Sequence, residues 1–308
     1  MSMGEIKNNA QTKILFCAIA GHTNAGKSSL LNAVIGEKIA SVSPKPQTTR
    51  TRITGIRNIG ETQLVFTDTP GLHRSQNKLG EKMLKAAREA VSDIDCVIFM
   101  QDCTKPLGSQ EQTMLDNLQK QGTPVIFIYN KIDLLSDKTK LAPLLAQAEQ
   151  RWSPAALIPV SVTRNDGIQD VIDELLKRAQ PGPHYFPDDM LTDQPERVLA
   201  AEIVREQLLY LLQDEVPHGI AVVTEQFSER QDKDILNVSV LIYCERESHK
   251  RIIIGKQGSM LKKVGERART ELEKFFRIQV HLQTWVKVKE DWRNRDMLIS
   301  QFGLNIDN

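Results

Sequence analysis

Gly21, Gly26, Lys27 and Ser28 stand in the order Gly-x-x-x-x-Gly-Lys-Ser, and that spacing serves one chemistry well. The glycines let a loop turn so tightly that successive backbone N–H groups point inward and can wrap phosphate oxygens. Lys27 then reaches the β- and γ-phosphates, and the Ser28 hydroxyl offers a hard oxygen to Mg2+. Asn24 and Ala25 inside the loop and Ser29 after it share the same surface. Such a loop needs a strand before it and a helix after it, so that the helix N-terminus faces the anion. The apolar run 13–20 and the helix-like stretch 27–35 meet that requirement.

A phosphate loop does not choose the base. Asn130-Lys131-Ile132-Asp133 follows a buried, strand-like run, and the Asp133 carboxylate can accept from both the ring N–H and the amino group of guanine. Adenine offers no such pair of donors, so Asp133 would be left buried and unpaired, which rejects it strongly. The Lys131 stem can lie along the base. Asp68-Thr-Pro-Gly71 also ends a strand-like run. It suits Asp68 as a Mg2+ partner through water and the Gly71 N–H as a contact to the γ-phosphate. Between these motifs, residues 43–52 (SPKPQTTRTR) form a loop from which Thr49, with Thr48 as the alternative, would close on Mg2+ when a γ-phosphate is present. Ser161-Val162-Thr163 ends the last strand-like run, where the Val162 N–H would touch guanine O6. Leu72 stands where many switch GTPases carry the glutamine that orients attacking water. Asn24 has two readings: with the backbone of 43–50 it would hold a K+ ion against the phosphates, or it is a turn residue that stabilises the loop.

The elements that must carry these residues alternate along the first half. Short apolar runs at 13–20, 62–68, 95–102, 124–130 and 156–161 suit strands buried on both faces of a parallel sheet. Helix-like stretches at 27–35, 81–91, 109–121 and 167–179 lie between them, and the more polar 51–59 reads as an antiparallel edge strand. This is a doubly wound, mostly parallel α/β domain over 10–180, the P-loop GTPase arrangement. Residues 181–197, with four prolines, form a linker. A smaller α+β domain over 198–296 follows, with helices at 198–212, after 250 and at 259–276, and strands at 220–226, 236–244 and 279–289. The tail, 297–308, reads as weakly ordered.

The second domain carries its own constellation. Ile254-Gly255-Lys256-Gln257-Gly258 joins two helices, and Lys262 and Lys263 follow. Two glycines around two polar residues let a nucleic-acid backbone approach closely, as in KH-type RNA-binding loops. Residues 241–296 hold fourteen basic and eight acidic side chains, against three and eight over 201–240. The basic excess therefore sits beside the loop. Trp285 and Trp292 could stack on bases. Val280, Leu282, Val286 and Val288 favour a core position for Trp285.

The 308 residues, formal net charge +1 and 40% hydrophobic content are those of a soluble two-domain protein. The four cysteines are scattered, consistent with buried free thiols in a reducing cytosol. The first twelve residues lack a signal-peptide core, and the longest apolar run, 14–20, is far too short to span a bilayer.

With these motifs in place, the chain resembles the bacterial Era GTPases over residues 10–300. The resemblance rests on the Asn-bearing phosphate loop, Pro-Gln-Thr-Thr-Arg (46–50), Asp-Thr-Pro-Gly-Leu-His (68–73), Asn-Lys-x-Asp and a KH domain closing on Trp285-Val-Lys-Val-Lys289. It implies a monomeric cytoplasmic GTP/GDP switch with Mg2+. The switch would bind the single-stranded 3′ end of 16S rRNA, act in small ribosomal subunit assembly, and associate peripherally with the inner membrane. Ala25, Ser29, Pro44, Pro46 and Val162 depart from the family's usual residues. Two other readings are an RNA-binding chaperone with a structural nucleotide and a tRNA-modification GTPase. The latter commonly relies on a C-terminal cysteine, and nothing comparable ends this sequence.

Overall fold

A run of apolar residues too short for a helix and rich in valine and isoleucine must pair its backbone laterally, and the N-terminal half does this repeatedly. A computed structural model of the chain describes residues 12–45, 48–50, 52–68, 77–89, 94–230 and 234–304. In chain order it contains β1 (Lys13–Gly21), α1 (Lys27–Ile35), β2 (Ile53–Ile59), β3 (Thr62–Asp68), α2 (Lys78–Glu89) and β4 (Cys96–Asp102). There follow α3 (Ser109–Gln121), β5 (Val125–Asn130), α4 (Leu141–Trp152), β6 (Ala156–Val160), α5 (Ile168–Leu176) and the short β7 (Gln180–Pro181). The sheet order is β2-β3-β1-β4-β5-β6, with β2 antiparallel at the edge and β7 pairing the start of β1. Ile98, Phe99, Ile126, Phe127 and Ile128 are fully buried, as strands covered on both faces must be. Leu30, Leu31 and Val34 of α1 pack with Val171, Ile172 and Leu175 of α5 on one face. Leu115 and Leu118 of α3 pack with Ala148 and Trp152 of α4 on the other. Cys17, Cys96, Cys103 and Cys244 are buried free thiols.

The C-terminal half contains α6 (Glu196–Leu211), β8 (Ala221–Glu229), β9 (Ile235–Cys244), α7 (Glu247–Ile254), α8 (Ser259–Phe276), β10 (Gln279–Val288) and α9 (Asp296–Gln301). Its sheet runs β10-β9-β8, parallel between β10 and β9 and antiparallel between β9 and β8. Val204 and Leu208 of α6 and Val264, Ala268 and Leu272 of α8 cover one face. On the other face Ala221, Leu241 and Tyr243 meet Trp292, Leu298, Ile299 and Phe302, together with Leu79 and Met83 of α2.

Two expectations fail here. The segment after Asp296 is an ordered helix, because Leu298, Ile299 and Phe302 find an uncovered apolar sheet face to bury against. Trp285 is 57% exposed and Trp292 is fully buried, with its Nε1 donating to Gly219 O at 2.9 Å. Along β10 the even-numbered Val280, Leu282, Val286 and Val288 pack with the helices. Trp285 points the other way, and the apolar cluster there includes β8 and β9 residues but none of β10.

Residues 181–197 are not a loose tether. Leu191 O accepts from Ile56 N at 2.8 Å, and Thr192 Oγ1 donates to Thr54 O at 2.6 Å. The buried Gln63 side chain accepts from Tyr185 N at 2.8 Å and donates to Phe186 O at 2.9 Å. The segment is a strap along the β2–β3 edge, which covers backbone groups an edge strand would leave open.

His184 pins this strap, with Nδ1 2.9 Å from Asp188 Oδ1 and Nε2 3.2 Å from Glu61 O. Both nitrogens face acceptors, so the Asp188 hydrogen bond first, and Glu61 O with it, raise the His184 pKa above its ordinary value. A raised folded-state pKa contributes stability that is present below the unfolded pKa and lost as pH rises through the folded one. His184→Ala is therefore expected to lower the denaturation midpoint more at pH 5.5 than at pH 9, as urea titrations at both pH values would show.

Candidate functional site

In an open α/β sheet the loops at the C-terminal strand ends collect along one rim. Here Gly21, Asp68, Asn130 and Ser161 stand on that rim, at or just beyond the ends of β1, β3, β5 and β6. Gly26 takes φ +107°, and a Cβ there would lie 2.3 Å from Asn130 Nδ2. Without that side chain the buried Asn130 closes onto the loop. Its Nδ2 donates to Ala25 O at 2.8 Å, and its Oδ1 accepts from Val162 N at 3.2 Å. One amide thus ties the phosphate loop to the last strand-end loop. Ala25 packs into the core below. Lys27 Nζ donates to Gly21 O at 3.1 Å and His22 O at 2.9 Å. Burial lowers the Lys27 pKa to about 8, although Asp68 and Glu111 pull it upward.

Three oxygens from distant positions meet beside Lys27. Ser28 Oγ lies 2.7 Å from Thr49 Oγ1 and donates to Asp68 Oδ2 at 2.7 Å, while Thr49 Oγ1 donates to Asp68 Oδ2 at 3.3 Å. Two hydroxyls and a carboxylate are hard oxygen donors of the kind Mg2+ takes. The Thr48 hydroxyl turns instead to Lys45 O at 2.8 Å and Ser43 Oγ at 3.2 Å. Asn24 Nδ2 donates to Pro44 O at 2.8 Å, joining the phosphate loop to the 43–50 loop, and Ser29 lines the cleft between the two. Gly71 and Leu72 lie outside the described residues.

On the base side Ser161 Oγ donates to Asp133 Oδ1 at 2.6 Å, which fixes the carboxylate's rotation. Lys131 takes a left-handed φ of +67°, and its Nζ lies 2.7 Å from Asp102 Oδ2. Burial opposes ionisation of Asp102, but the hydrogen bonds from Lys131 and Thr104 win and lower its pKa. Asp102 was not among the sequence candidates, although it ends β4 on the same rim. The Val162 N–H, expected at guanine O6, donates to Asn130 Oδ1 on the same side of the rim.

In the C-terminal half Ile254 closes α7, and Gly255 to Gly258 form the turn into α8. Gly258 takes φ +80°, and a Cβ there would meet nothing within 4 Å. The position is open outward rather than pressed against the protein. Lys256, Gln257, Lys262 and Lys263 are exposed around it.

A phosphate loop with a guanine-type specificity motif on a parallel sheet, joined to a glycine-bracketed helix turn on an α+β unit, defines a P-loop GTPase with a KH domain. Comparison with known proteins narrows this. Residues 16–131 match the family described as 50S ribosome-binding GTPase, and residues 215–293 match the KH domain. GTPase Era of Clostridioides difficile is 46% identical over 94% of this chain and 98% of its own length. That of Caldanaerobacter subterraneus subsp. tengcongensis is 44% identical over 95% and 98%. A crystal structure of an Aquifex aeolicus Era variant bound to GDP and AlF4− superposes with a TM-score of 0.91 at 36% identity, covering 96% of this chain and all of that one. A structure of Era with MgGDPNP and nucleotides 1506–1542 of 16S ribosomal RNA gives the same values. The chain belongs to the Era family of GTPases.

Asn130→Ala would strand the Ala25 carbonyl and the Val162 N–H, at a cost of about 1–3 kcal/mol of stability for buried groups left unpaired. Asp133→Asn, on the rim, is expected to keep stability while shifting preference from guanine toward xanthine nucleotides. Thermal melts and competition binding with GTP and XTP separate the two outcomes.

Proposed function

We propose that this chain is a GTP-hydrolysing switch that holds the 3′ end of 16S rRNA and acts in small ribosomal subunit assembly. The observation that carries the switch is the meeting of Ser28, Thr49 and Asp68 within hydrogen-bonding distance beside Lys27. In this reading residues 10–180 bind nucleotide, 181–197 connect, and 198–296 bind RNA, extended by the packing of α9.

The amides of Gly21, Asn24, Ala25, Gly26, Lys27, Ser28 and Ser29 wrap the phosphates, and the Lys27 ammonium reaches the β- and γ-phosphates. Ser28, Thr49 and Asp68 would hold Mg2+, which would supply charge neutralisation at the phosphates. Asp133, set by Ser161, reads guanine, and Lys131 covers the base. Asn130 and Val162 support that pocket, and the Gly71 N–H meets the γ-phosphate. With GTP bound, Thr49 would add its hydroxyl to the metal beside Ser28, and loss of the γ-phosphate on hydrolysis would loosen the 43–50 loop. Leu72 offers no hydrogen bond to water, so charge compensation carries more of the rate. Asn24, whose Nδ2 now donates to Pro44 O, would have to turn its amide oxygen to the ion for it and Pro44 O to hold K+ together. Replacing KCl by NaCl is expected to slow turnover in the wild type and to leave Asn24→Ala unchanged; equal wild-type rates in the two salts would remove K+ from the mechanism.

RNA lies against Gly255 and Gly258, with Ile254 and Gln257 shaping the turn and Lys256, Lys262 and Lys263 meeting phosphates. The likeness to Era in complex with 16S nucleotides 1506–1542 supports this partner. Cytoplasmic location follows from it, with any membrane contact peripheral. No helix among the described residues is long and apolar enough to cross a membrane.

The φ of +80° at Gly258 makes Gly258→Asp cost about 1–2 kcal/mol of stability, but the space there is open and aspartate tolerates the left-handed region better than most residues. The variant is therefore expected to fold and bind GTP while losing RNA, since it sets a negative side chain toward the phosphates. RNA crosslinked to the wild-type protein in cells should map to the 3′ end of 16S rRNA and disappear in the variant. A diffuse signal in the wild type would refute the assembly role.

A further inference from the structure

Thr49 is gripped on both flanks by the C-terminal half of the chain. Before it, the Thr48 carbonyl accepts from Arg205 Nη2 of α6. After it, Arg50 Nη1 donates to Ile220 O at 2.5 Å and Nη2 to His218 O at 3.1 Å. Earlier in the same loop, Ser41 Oγ donates to Glu202 O at 3.0 Å. Arg205 and Arg50 are only 2% and 3% exposed. Glu202 forks onto Arg205, accepting from Nε at 2.7 Å and from Nη2 at 2.5 Å. Arg50 lies over the Trp292 ring, 5.8 Å from its centroid, and Trp292 in turn holds Gly219 O.

Burying two guanidinium groups side by side is an expensive way to join two domains, and apolar side chains would cost less. What a guanidinium provides and a leucine does not is a directional hold on a backbone carbonyl, with a second point of attachment that fixes its angle. That hold falls on the peptide units on either side of the one residue whose hydroxyl must reach the metal site. It also leads back to the RNA side. α6 packs against α8 through Val204, Leu208, Val264, Ala268 and Leu272, and α8 starts at the Gly258 turn.

We propose that Arg205, anchored by Glu202 and seconded by Arg50, is a positioning residue for GTP hydrolysis: it holds the Thr48 carbonyl and thereby sets the Thr49 hydroxyl at the metal site. Thr49 can then engage only when α6 is seated, so the RNA-bearing domain works as a gate on the catalytic loop. This inference rests on the reading of Thr49 as a metal ligand, and the test separates the two.

The experiment uses the full chain and compares wild type, Arg205→Lys, Arg205→Ala, Thr49→Ala and Arg205→Lys/Thr49→Ala. It measures kcat, KM for GTP, the Mg2+ concentration for half-maximal binding of a fluorescent non-hydrolysable GTP analogue, GDP affinity, and RNA affinity in the GDP form. Lysine keeps charge and bulk but cannot hold Glu202 and Thr48 O together, so Arg205→Lys folds without rescuing the function. Its kcat is expected to fall about tenfold, the loss of one charge-assisted hydrogen bond. Its Mg2+ requirement with the GTP analogue is expected to rise by a similar factor, with GDP affinity and RNA affinity in the GDP form unchanged. The double variant should be no worse than Thr49→Ala, because both changes break one chain of contacts. Wild-type kcat and Mg2+ dependence in Arg205→Lys, or losses that multiply in the double variant, would overturn the proposal, as would an effect of Arg205→Ala confined to the melting temperature. Thr49→Ala with wild-type Mg2+ dependence would instead refute the reading of Thr49 on which the proposal stands.

Discussion

The pairing of β1 with β3 is the constraint on which the site depends. In that parallel register Ile19 lies opposite Asp68, so the carboxylate arrives beside the loop that begins two residues later. Strand side chains alternate between faces, and a slip of one position would turn Asp68 to the other side of the sheet. Ser28 would then have no carboxylate to meet, and Thr49 would close on nothing. The apolar side chains Leu15, Cys17 and Ile19 of β1 and Leu64 and Phe66 of β3, buried under α1 and α5, exclude that slip. Core packing far from any phosphate thus sets the position of the oxygen that matters most.

The two halves of the chain touch in two chemically different ways. Leu79 and Met83 of α2 share an apolar cluster with Trp292 and Phe302, and such contacts tolerate small rotations because they have no preferred direction. The 41–50 loop is instead held through carbonyls and guanidinium groups, which weaken steeply once the donor angle is lost. The joint between the two domains is soft on one side and angular on the other.

The phosphate loop, Asn-Lys-x-Asp and the glycine-bracketed turn were legible in the sequence because each is a local segment whose geometry is fixed by its own residues. Partnerships across the fold were not. Lys131 meets Asp102 from 29 positions away and Arg205 meets Thr48 from 157, and no local pattern announces either pair. Trp285 was misjudged for a related reason. Its apolar neighbours at every second position do bury themselves, and that alternation sends Trp285 to the opposite face, where an edge strand has little cover. The helix at 296–301 escaped notice because its apolar residues are too few to show a period, and what orders them is the sheet face they cover.

The docking of α2 has a consequence for how the protein is made. Lys78 reaches Asn294 and Asp296 across 216 and 218 positions of chain. At ordinary synthesis rates of about 5–20 residues per second, the partners of α2 emerge about 10–40 s after α2 itself. During that interval the phosphate loop and its strands can already fold, whereas Leu79 and Met83 have no apolar surface to meet. A nascent chain could hold nucleotide before it could convert the nucleotide's identity into a domain position. A chain broken off before residue 292 would leave those side chains in water, marking itself for the chaperones and proteases that recognise exposed apolar surface.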